Sequence, residues 1–455
     1  MKNQLNLGRG RGAWALATMM AVCFSCPSAR AADEAGDGLT RKQAETAVRE
    51  GMEKLRGKPV RDGLDKDLPD SVEKMIEAAK KNGGRIEIKA RELPLGDKAM
   101  PYAVIRREKG EPAKGGRALF ICMHGGGQYA KAKGPHAWPM NTQEFQTQTK
   151  MAIALYEPDG VYFIPRMADD RLGRWWHKHN QVAFDAVIDN AIVHWGVSPD
   201  RVYLLGVSEG GYGTDILAVW MPDRFAGADA MAAGVGLGTP PANLRNIAFR
   251  TDIGANDMMF DRRPMAVAFH AELDRLHKLD PGGYVHTIHL QEGRGHGIDY
   301  KPGVTWIAKH TRNPWPERVV WINQPLDGRR RDRFYWLAMP DAPKKGNLRL
   351  TAEADREKNT VVLEVSTLDA RNTDRNRTHG KDNVAESPRK PLAGARVELL
   401  LSDRLLDLDK PVTVVCNGRK VFEGKVERSR KVIEAALARR PDPAACPTAK
   451  LTIGT

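Results

Sequence analysis

A serine between two glycines is the residue of this chain best suited to do chemistry. It lies in Gly206-Val207-Ser208-Glu209-Gly210, a G-x-S-x-G pattern. The apolar run Arg201–Leu205 before it predicts a buried strand, and Thr214–Trp220 after it predicts a helix. A strand, a sharp turn and a helix in this order form a nucleophile elbow, which exposes the serine hydroxyl for attack on a carbonyl carbon. A glycine-rich turn with a passive serine is the alternative.

A second glycine-rich turn could supply hydrogen bonds to the same reaction. The strand predicted at Arg117–Met123 leads into His124-Gly125-Gly126-Gly127. Backbone N–H groups of such a turn, with the N–H of the residue after the nucleophile, stabilise negative charge on a reacting carbonyl oxygen. We therefore predict an oxyanion hole made by Gly125 or Gly126 together with Glu209. An ordinary glycine loop is the alternative.

A carboxylate follows the serine at a distance that suits the acid of a catalytic triad. Asp257 comes shortly after the strand predicted at Asn246–Thr251. A carboxylate just past a strand end could orient a histidine beside the nucleophile. An aspartate in a surface loop is the alternative. Three other carboxylates are placed less well with respect to the strand end or the serine: Asp252, Asp261 and Glu209.

The base of the predicted triad is a histidine in a flexible loop. The segment Tyr284–Leu290 alternates as a strand does, and it leads into a glycine-rich loop that carries His296. His286 and His289 lie within the predicted strand and are expected to have structural roles. The resulting order, Ser208 then Asp257 then His296, is the order of the triad in α/β-hydrolases.

With these motifs the chain resembles the α/β-hydrolase superfamily over about residues 85–315. It is similar to secreted esterases and depolymerases of the feruloyl esterase and polyhydroxybutyrate depolymerase type, and to the catalytic domain of prolyl oligopeptidase-like enzymes. The stretch from Ser198–Tyr203 through Pro222–Gly227 carries much of the likeness. The resemblance implies a doubly wound, mostly parallel α/β sheet. Glu209 departs from the Met or Gln of many relatives.

The resemblance implies an exported serine hydrolase that cleaves a small or polymeric carboxylic ester, which could be linked to a polysaccharide. A serine peptidase of the prolyl oligopeptidase type is an alternative, although no large propeller domain precedes the predicted hydrolase region. A catalytically inactive hydrolase fold that serves as a binding module is another. Because the chain has neither H-E-x-x-H nor a Cys/His zinc spacing, no metal and no organic cofactor are expected.

The N-terminus has the pattern of a signal peptide. Basic residues precede the apolar run Ala13–Phe24, and Ala29-Arg30-Ala31 gives a small-residue cleavage site. We expect cleavage near Ala31 and export to the periplasm or medium, since the apolar run is too short to span a bilayer and no other stretch is long enough. The net charge is +14, or +14 − 4 = +10 without the four basic residues of the signal peptide. It indicates a basic surface that is simply solvated or, as an alternative, one that meets an anionic polysaccharide or cell envelope, and no nucleic-acid recognition motif accompanies it.

Four regions follow from changes in pattern. We expect a signal peptide at 1–31, a helical segment at 32–84 that is a pro-segment or a packing arm, an α/β-hydrolase domain at 85–318, and a β-rich, sandwich-like domain at 319–455. The β-rich domain is expected to take no part in the chemistry. Within it, residues 371–391 are almost devoid of apolar side chains and predict a disordered loop. Whether Cys416 and Cys446 pair is left open.

Aromatic residues near the predicted carboxyl edge of the sheet are candidates for substrate binding. Trp175 and Trp176 follow the strand predicted at Gly160–Pro165, at the edge where α/β sheets bind ligands. They could stack on a sugar or a phenolic ring, and Tyr212 could line the same pocket. Tryptophans that seal a helix against the sheet are the alternative.

Overall fold

The computed structural model describes residues 37–84, 86, 88–368, 370–375, 382–386 and 390–455. An eight-stranded sheet with the order β1-β2-β4-β3-β5-β6-β7-β8 forms the first large unit. Its strands are β1 (Arg91–Leu95), β2 (Lys98–Arg107), β3 (Arg117–Met123), β4 (Gly160–Pro165), β5 (Val197–Val207), β6 (Gly227–Met231), β7 (Ala248–Gly254) and β8 (His286–Gln291). The neighbouring strands in the stretch β4-β3-β5-β6-β7-β8 are all parallel to each other. At one edge, β2 pairs antiparallel with β4, and β1 pairs antiparallel with β2. The predicted signal peptide lies outside the described residues.

Both faces of this sheet are covered, which explains why its central strands are apolar throughout. In β3, Leu119 and Ile121 enter one hydrophobic cluster, whereas Phe120 and Cys122 enter another. The covering helices are α3 (Pro139–Ala154), α4 (Lys178–His194), α5 (Glu209–Trp220), α6 (Arg262–Leu279) and α7 (Lys301–Ile307). The predicted doubly wound sheet is therefore confirmed. Within the described ranges, no helix is long and apolar enough to cross a membrane.

Two N-terminal helices are tied to the rest of the fold. Helix α1 (Arg41–Arg56) begins at a capping box between Thr40 and Gln43, and α2 (Val72–Asn82) begins at Ser71, whose hydroxyl accepts a hydrogen bond from the Lys74 N–H. Helix α1 packs against α8 (Arg430–Arg439), near the other end of the chain. The segment thus packs against the rest of the fold, and whether it is a pro-segment or a packing arm stays open.

The C-terminal region consists of two packed sheets. The first has the order β19-β18-β13-β12-β9, with β16 beside β13, and the second has the order β10-β11-β17-β20. The strands are β9 (Arg318–Asn323), β10 (Arg333–Phe334), β11 (Leu337–Ala338), β12 (Asn347–Asp355), β13 (Thr360–Leu368), β16 (Lys390–Pro391), β17 (Arg396–Leu401), β18 (Val412–Cys416), β19 (Arg419–Gly424) and β20 (Ala449–Gly454). Leu363 of the first sheet and Leu399 of the second lie in one cluster, as a sandwich requires.

The region predicted to be a disordered loop contains a short ladder. Strands β14 (Ala370–Arg375) and β15 (Asp382–Glu386) pair antiparallel with each other. The remaining positions, 369, 376–381 and 387–389, lie outside the described residues. A low apolar content argues against packing on a core, but a ladder between neighbouring segments needs only backbone N–H and C=O groups. The described part of 371–391 therefore differs from the expectation.

Buried ion pairs join the two large units. The Arg312 guanidinium donates to Asp200 from Nη2 at 2.9 Å and to Asp442 from Nη1 at 2.8 Å. Arg440 contacts Asp223 in the same buried layer. Strand β9 adds a polar link, because Asn243 donates to the Ile322 carbonyl at 3.0 Å. The β-rich region is therefore fastened to the hydrolase sheet by ion pairs that cross between the two units.

The three cysteines among the described residues are buried and unpaired. Cys416 lies in the core of the β sandwich, whereas Cys446 lies in the cluster that extends under the large sheet. Both are free thiols, as is Cys122. The pairing that the sequence left open is absent from the described residues.

Candidate active site

Ser208 lies at the tip of a strained turn between β5 and α5. Its backbone has φ 55° and ψ −112°, a conformation that costs a non-glycine residue free energy and is found mainly at functional sites. A Cβ atom at Gly206 would collide with the backbone of Gly210, and one at Gly210 would collide with the Met123 carbonyl group. Glycines are therefore required at both positions, and the predicted elbow is present.

A continuous set of hydrogen bonds links three predicted residues. His296 Nε2 lies 3.0 Å from Ser208 Oγ, and His296 Nδ1 lies 2.7 Å from Asp257 Oδ2. A proton on Nδ1 satisfies the carboxylate and leaves Nε2 free to accept the serine proton. The Asp257 side chain is buried, whereas 45% of the His296 side chain is exposed. The base is thus open to substrate while its orienting acid is shielded from water.

The acid is held from its other side by a residue that sequence reasoning missed. Arg262 Nη1 donates to Asp257 Oδ1 at 3.0 Å, and Arg262 Nε donates to the Tyr212 hydroxyl at 3.1 Å. Tyr212 belongs to the helix that begins at the nucleophile. Arg262 therefore fixes the acid relative to the elbow. No motif indicated this role, because an arginine five positions after an aspartate is common in surface loops.

The other predicted acids and histidines lie elsewhere. Asp252 Oδ1 lies 2.6 Å from His289 Nδ1, and both Asp252 oxygens accept from Arg250. His286 Nε2 lies 3.2 Å from Asp274 Oδ1. Asp261 is exposed, with φ 56°. Among the carboxylates considered from the sequence, Asp257 is the one that the structure brings to His296.

The predicted oxyanion donors surround the serine. A Cβ atom at Gly125 would lie 3.5 Å from Ser208 Cβ, and Gly126 has φ +87°. The N–H of Gly127 is already bonded to Asn141 Oδ1 at 3.0 Å. Glu209 is the first residue of α5, where a backbone N–H has no partner within the helix. Gly125 thus lies beside the serine and Glu209 follows it directly, and the Gly127 N–H is already engaged; the oxyanion role of Gly125, Gly126 and Glu209 stays a prediction.

His124 orients the glycine turn from below. Its Nε2 accepts the Met167 N–H at 3.0 Å, so its proton is on Nδ1, which donates to the Gly125 carbonyl at 2.6 Å. Burial lowers the pKa of His124 to about 3, so the ring is neutral. Because a trans peptide holds its C=O and N–H on opposite sides, fixing the Gly125 carbonyl also fixes the Gly126 N–H.

Two glutamates flank the glycine turn. Glu209 is buried, which raises its pKa to about 7 despite an ion pair of 2.6 Å between its Oε2 and Arg174 Nη1. Glu144 of α3, which sequence reasoning missed, lies on the other side. A Cβ atom at Gly125 would lie 2.8 Å from Glu144 Oε2. A single glutamate within a polar helix gives no sequence signal of this placement.

The predicted aromatic binding surface is largely wrong. Trp175 is 0% exposed, and its Nε1 donates to the His124 carbonyl at 3.0 Å. It seals the turn against the sheet, as the alternative interpretation held. Tyr212 is 3% exposed because its hydroxyl is turned towards Arg262. Trp176 remains partly exposed, with the Arg174 guanidinium carbon 5.8 Å from its ring centroid. Of the three aromatic residues, Trp176 alone presents appreciable surface to a ligand.

Comparisons with known proteins give a distant likeness. No protein-family model and no curated protein matches the chain. A thermostable esterase has 17% identity and a TM-score of 0.34, covering 49% of this chain and 59% of its own. A putative dipeptidyl aminopeptidase IV from Bacteroides ovatus has 14% identity and a TM-score of 0.35, and the match covers 49% of this chain and 34% of that one. A ferulic acid esterase has 14% identity and a TM-score of 0.34, and the match covers 49% of this chain and 98% of that one. This chain spans less than two thirds of the first two, and likeness of this degree decides nothing about activity.

Proposed function

We propose that this protein is a serine hydrolase that cleaves carboxylic esters through an acyl-enzyme. The observation that carries the proposal is the unbroken hydrogen-bond line from Asp257 through His296 to Ser208. It is supported by the strained elbow, which holds the hydroxyl at the tip of a turn, and by the backbone donors around it. A strained serine with no base beside it would have supported a passive turn instead.

In the proposed reaction Ser208 Oγ attacks the ester carbonyl carbon while His296 Nε2 takes its proton. The N–H groups of Gly125 or Gly126 and of Glu209 bind the carbonyl oxygen as it becomes negative. Collapse of the tetrahedral intermediate breaks the ester C–O bond, and His296 returns the proton to the leaving alcohol. A water molecule then repeats the sequence on the acyl-enzyme and releases the acid. Asp257 stabilises the imidazolium in both halves.

A fluorophosphonate probe tests the nucleophile directly. We expect the purified chain without residues 1–31 to gain the mass of one phosphonyl group, and Ser208→Ala to gain none. Thr214→Ala is the control, since its hydroxyl is buried and donates to the Gly210 carbonyl at 2.9 Å. Labelling that survives Ser208→Ala would show that another residue is the nucleophile. A wild-type protein that stays unlabelled would favour the inactive binding module.

Substrate panels then separate esterase from peptidase. We expect turnover of acyl esters to exceed that of matched amides and short peptides, because an alcohol is a better leaving group than an amine. Faster cleavage of the peptides would assign the chain to the serine peptidases. Small soluble esters are tested first. Esters on polysaccharides are tested next, because the positive net charge of the chain, +14, favours an anionic polymer.

We also infer that the protein acts outside the cytoplasm. This is supported by residues 1–31, in which basic residues, an apolar run and a small-residue cleavage site follow one another. Expression of the full chain in a bacterium with fractionation and intact-mass measurement tests this. The expected product is periplasmic or secreted and begins at Ala32. A cytoplasmic protein that keeps its first residues would contradict it.

A further inference from the structure

The Glu144 carboxyl group lies beside the nucleophile but takes no part in the proposed triad. A Cβ atom placed on Gly125 would contact Glu144 Oε2 at 2.8 Å and Ser208 Cβ at 3.5 Å. Glu144 Oε2 and Ser208 Cβ therefore both lie within contact distance of the same point next to Gly125. A substrate group bound at that point would contact both residues.

This carboxyl group has no hydrogen-bond or ion-pair partner among the described residues, although it is partly buried. The other carboxylates around the serine are paired: Asp257 contacts Arg262 and Glu209 contacts Arg174. Their charges are offset locally. Partial burial raises the Glu144 pKa, and the nearby His296 opposes this. A partly buried carboxylate without a partner gains from a bound counter-charge.

We propose that Glu144 determines specificity by binding a positively charged ammonium group carried by the ester substrate. The inference rests on the proposed hydrolase function and deepens it by naming a substrate class. The charge pairing around the serine points to a cation, because Glu144 is the acidic group there that lacks a counter-charge. The same carboxylate opposes substrates that carry a carboxylate at that position.

General electrostatics supports this choice. Opposite charges at contact in a partly desolvated site attract strongly, and like charges repel by a comparable amount. An ammonium group also restores the interactions that the carboxylate lost on burial, which favours its ionised form. The net charge of the whole chain is positive, so long-range attraction cannot select a cation here. Selection has to come from the local contact.

Three matched esters test the proposal: one ending in a trimethylammonium group, its neutral tert-butyl isostere, and a carboxylate of similar length. Each is made in two series, with the variable group in the acyl or in the alcohol part. In wild type we expect kcat/KM to fall in the order cation, neutral, anion in at least one series. Glu144→Gln should reduce the cation-to-neutral ratio by about tenfold or more and raise the anion-to-neutral ratio, while the neutral ester changes little.

Two further variants make the result interpretable. Glu144→Asp keeps the charge and should keep most of the preference for the cation, which separates charge from packing. Glu157→Gln removes an exposed charge just after α3 and should leave all three ratios unchanged. Circular dichroism and labelling of Ser208 by the fluorophosphonate probe establish that each variant is folded and active.

The outcomes separate this inference from the function on which it rests. Equal ratios in wild type and Glu144→Gln would overturn the substrate contact. An equal loss on all three esters would also overturn it, since Glu144 would then act on the imidazolium of His296 rather than on substrate. A wild-type protein that neither hydrolyses the neutral ester nor reacts with the probe would overturn the proposed function itself.

Discussion

Arg262 donates to Asp257 Oδ1 at 3.0 Å, on the side of the carboxylate opposite His296. The guanidinium offsets part of the negative charge that would otherwise stabilise the imidazolium. We expect Arg262→Met to lower kcat/KM by about tenfold or more, because the Asp257 carboxylate that orients His296 loses its second anchor. Tyr212→Phe removes the other Arg262 contact and should cost less, since the bond from Arg262 to Asp257 remains. Steady-state kinetics on one neutral ester compares the two, and an unchanged kcat/KM in a folded Arg262→Met would contradict this role.

Asp257 and Asp261 differ sharply in placement, although four positions separate them in the sequence. Asp257→Asn should lower kcat by about four orders of magnitude, since an amide favours the wrong tautomer of His296. Asp261→Asn should stay within about twofold, because its side chain is exposed. Steady-state kinetics on one neutral ester checks both. A larger loss in Asp261→Asn would reverse the assignment of the acid.

His124 is expected to act on kcat through the glycine turn. His124→Phe retains a ring but removes the donor to the Gly125 carbonyl, so the Gly126 N–H loses its orientation. Loss of one oxyanion donor lowers kcat by about two to three orders of magnitude, and KM should change little. His124→Asn, which offers an amide donor, should recover part of kcat. Rapid-quench measurement of the acylation step gives the comparison, and an unchanged rate in His124→Phe would contradict the role.

The buried Glu209 carboxyl group predicts a dependence of stability on pH. Its pKa rises from 4.5 to about 7 on folding, so the native state binds the proton more tightly than the unfolded chain. Wild type should therefore lose stability as pH rises from about 4.5 to about 7, by up to about 3 kcal/mol. Glu209→Gln lacks this loss. Urea unfolding at several pH values measures the difference, and parallel curves for the two proteins would refute it.

The hydrolase sheet should not fold without the β-rich region, although that region is expected to take no part in the chemistry. A chain ending near Arg318 or Leu326 leaves the buried Asp223 without Arg331 and Arg440, and leaves Arg312 with Asp200 alone. Unpaired buried charges cost about 3–5 kcal/mol each, which is comparable to the stability of many domains. We expect both truncated chains to lack a cooperative thermal transition, and Asp442→Asn to lower the unfolding free energy by about 3 kcal/mol. Lys358→Gln, at an exposed ion pair, is the control.

A truncated chain that is folded and active would contradict this prediction. In that case the ionic layer would contribute little to stability, and the β-rich region could be tested separately as a substrate-targeting module on insoluble polymers.

The residues of the predicted triad could be found in the sequence because each requires a particular local backbone structure. Ser208 needs a strand, a turn and flanking glycines, and His296 needs a loop after a strand, so both leave a pattern in the sequence. Trp175 and Tyr212 were misassigned because burial depends on what packs above them, here the glycine turn and Arg262. Glu144 and Arg262 left no pattern, since their roles arise from distances between segments far apart in the chain.

The same division applies to the fold. Strand β3 was predicted with its observed bounds, Arg117–Met123, because a run of apolar residues buried on both faces is unambiguous. The run Val319–Ile322 begins the β-rich region predicted from the sequence, but the sequence does not show what its two faces pack against. The structure pairs this run with β12 of the sandwich while Val320 and Ile322 pack against Ala242 beside the large sheet. Such a shared strand is defined by tertiary contacts alone.

The contact between α1 and α8 has a consequence for biosynthesis. The Arg430 guanidinium reaches Glu50 at 2.9 Å, and Leu437 lies against Gly51. A helix made among the first segments of the chain therefore finds its partner only after one of the last segments has left the ribosome. A chain stopped before Arg430 cannot make this contact, so the face of α1 that meets Leu437 stays without its partner until α8 has been made.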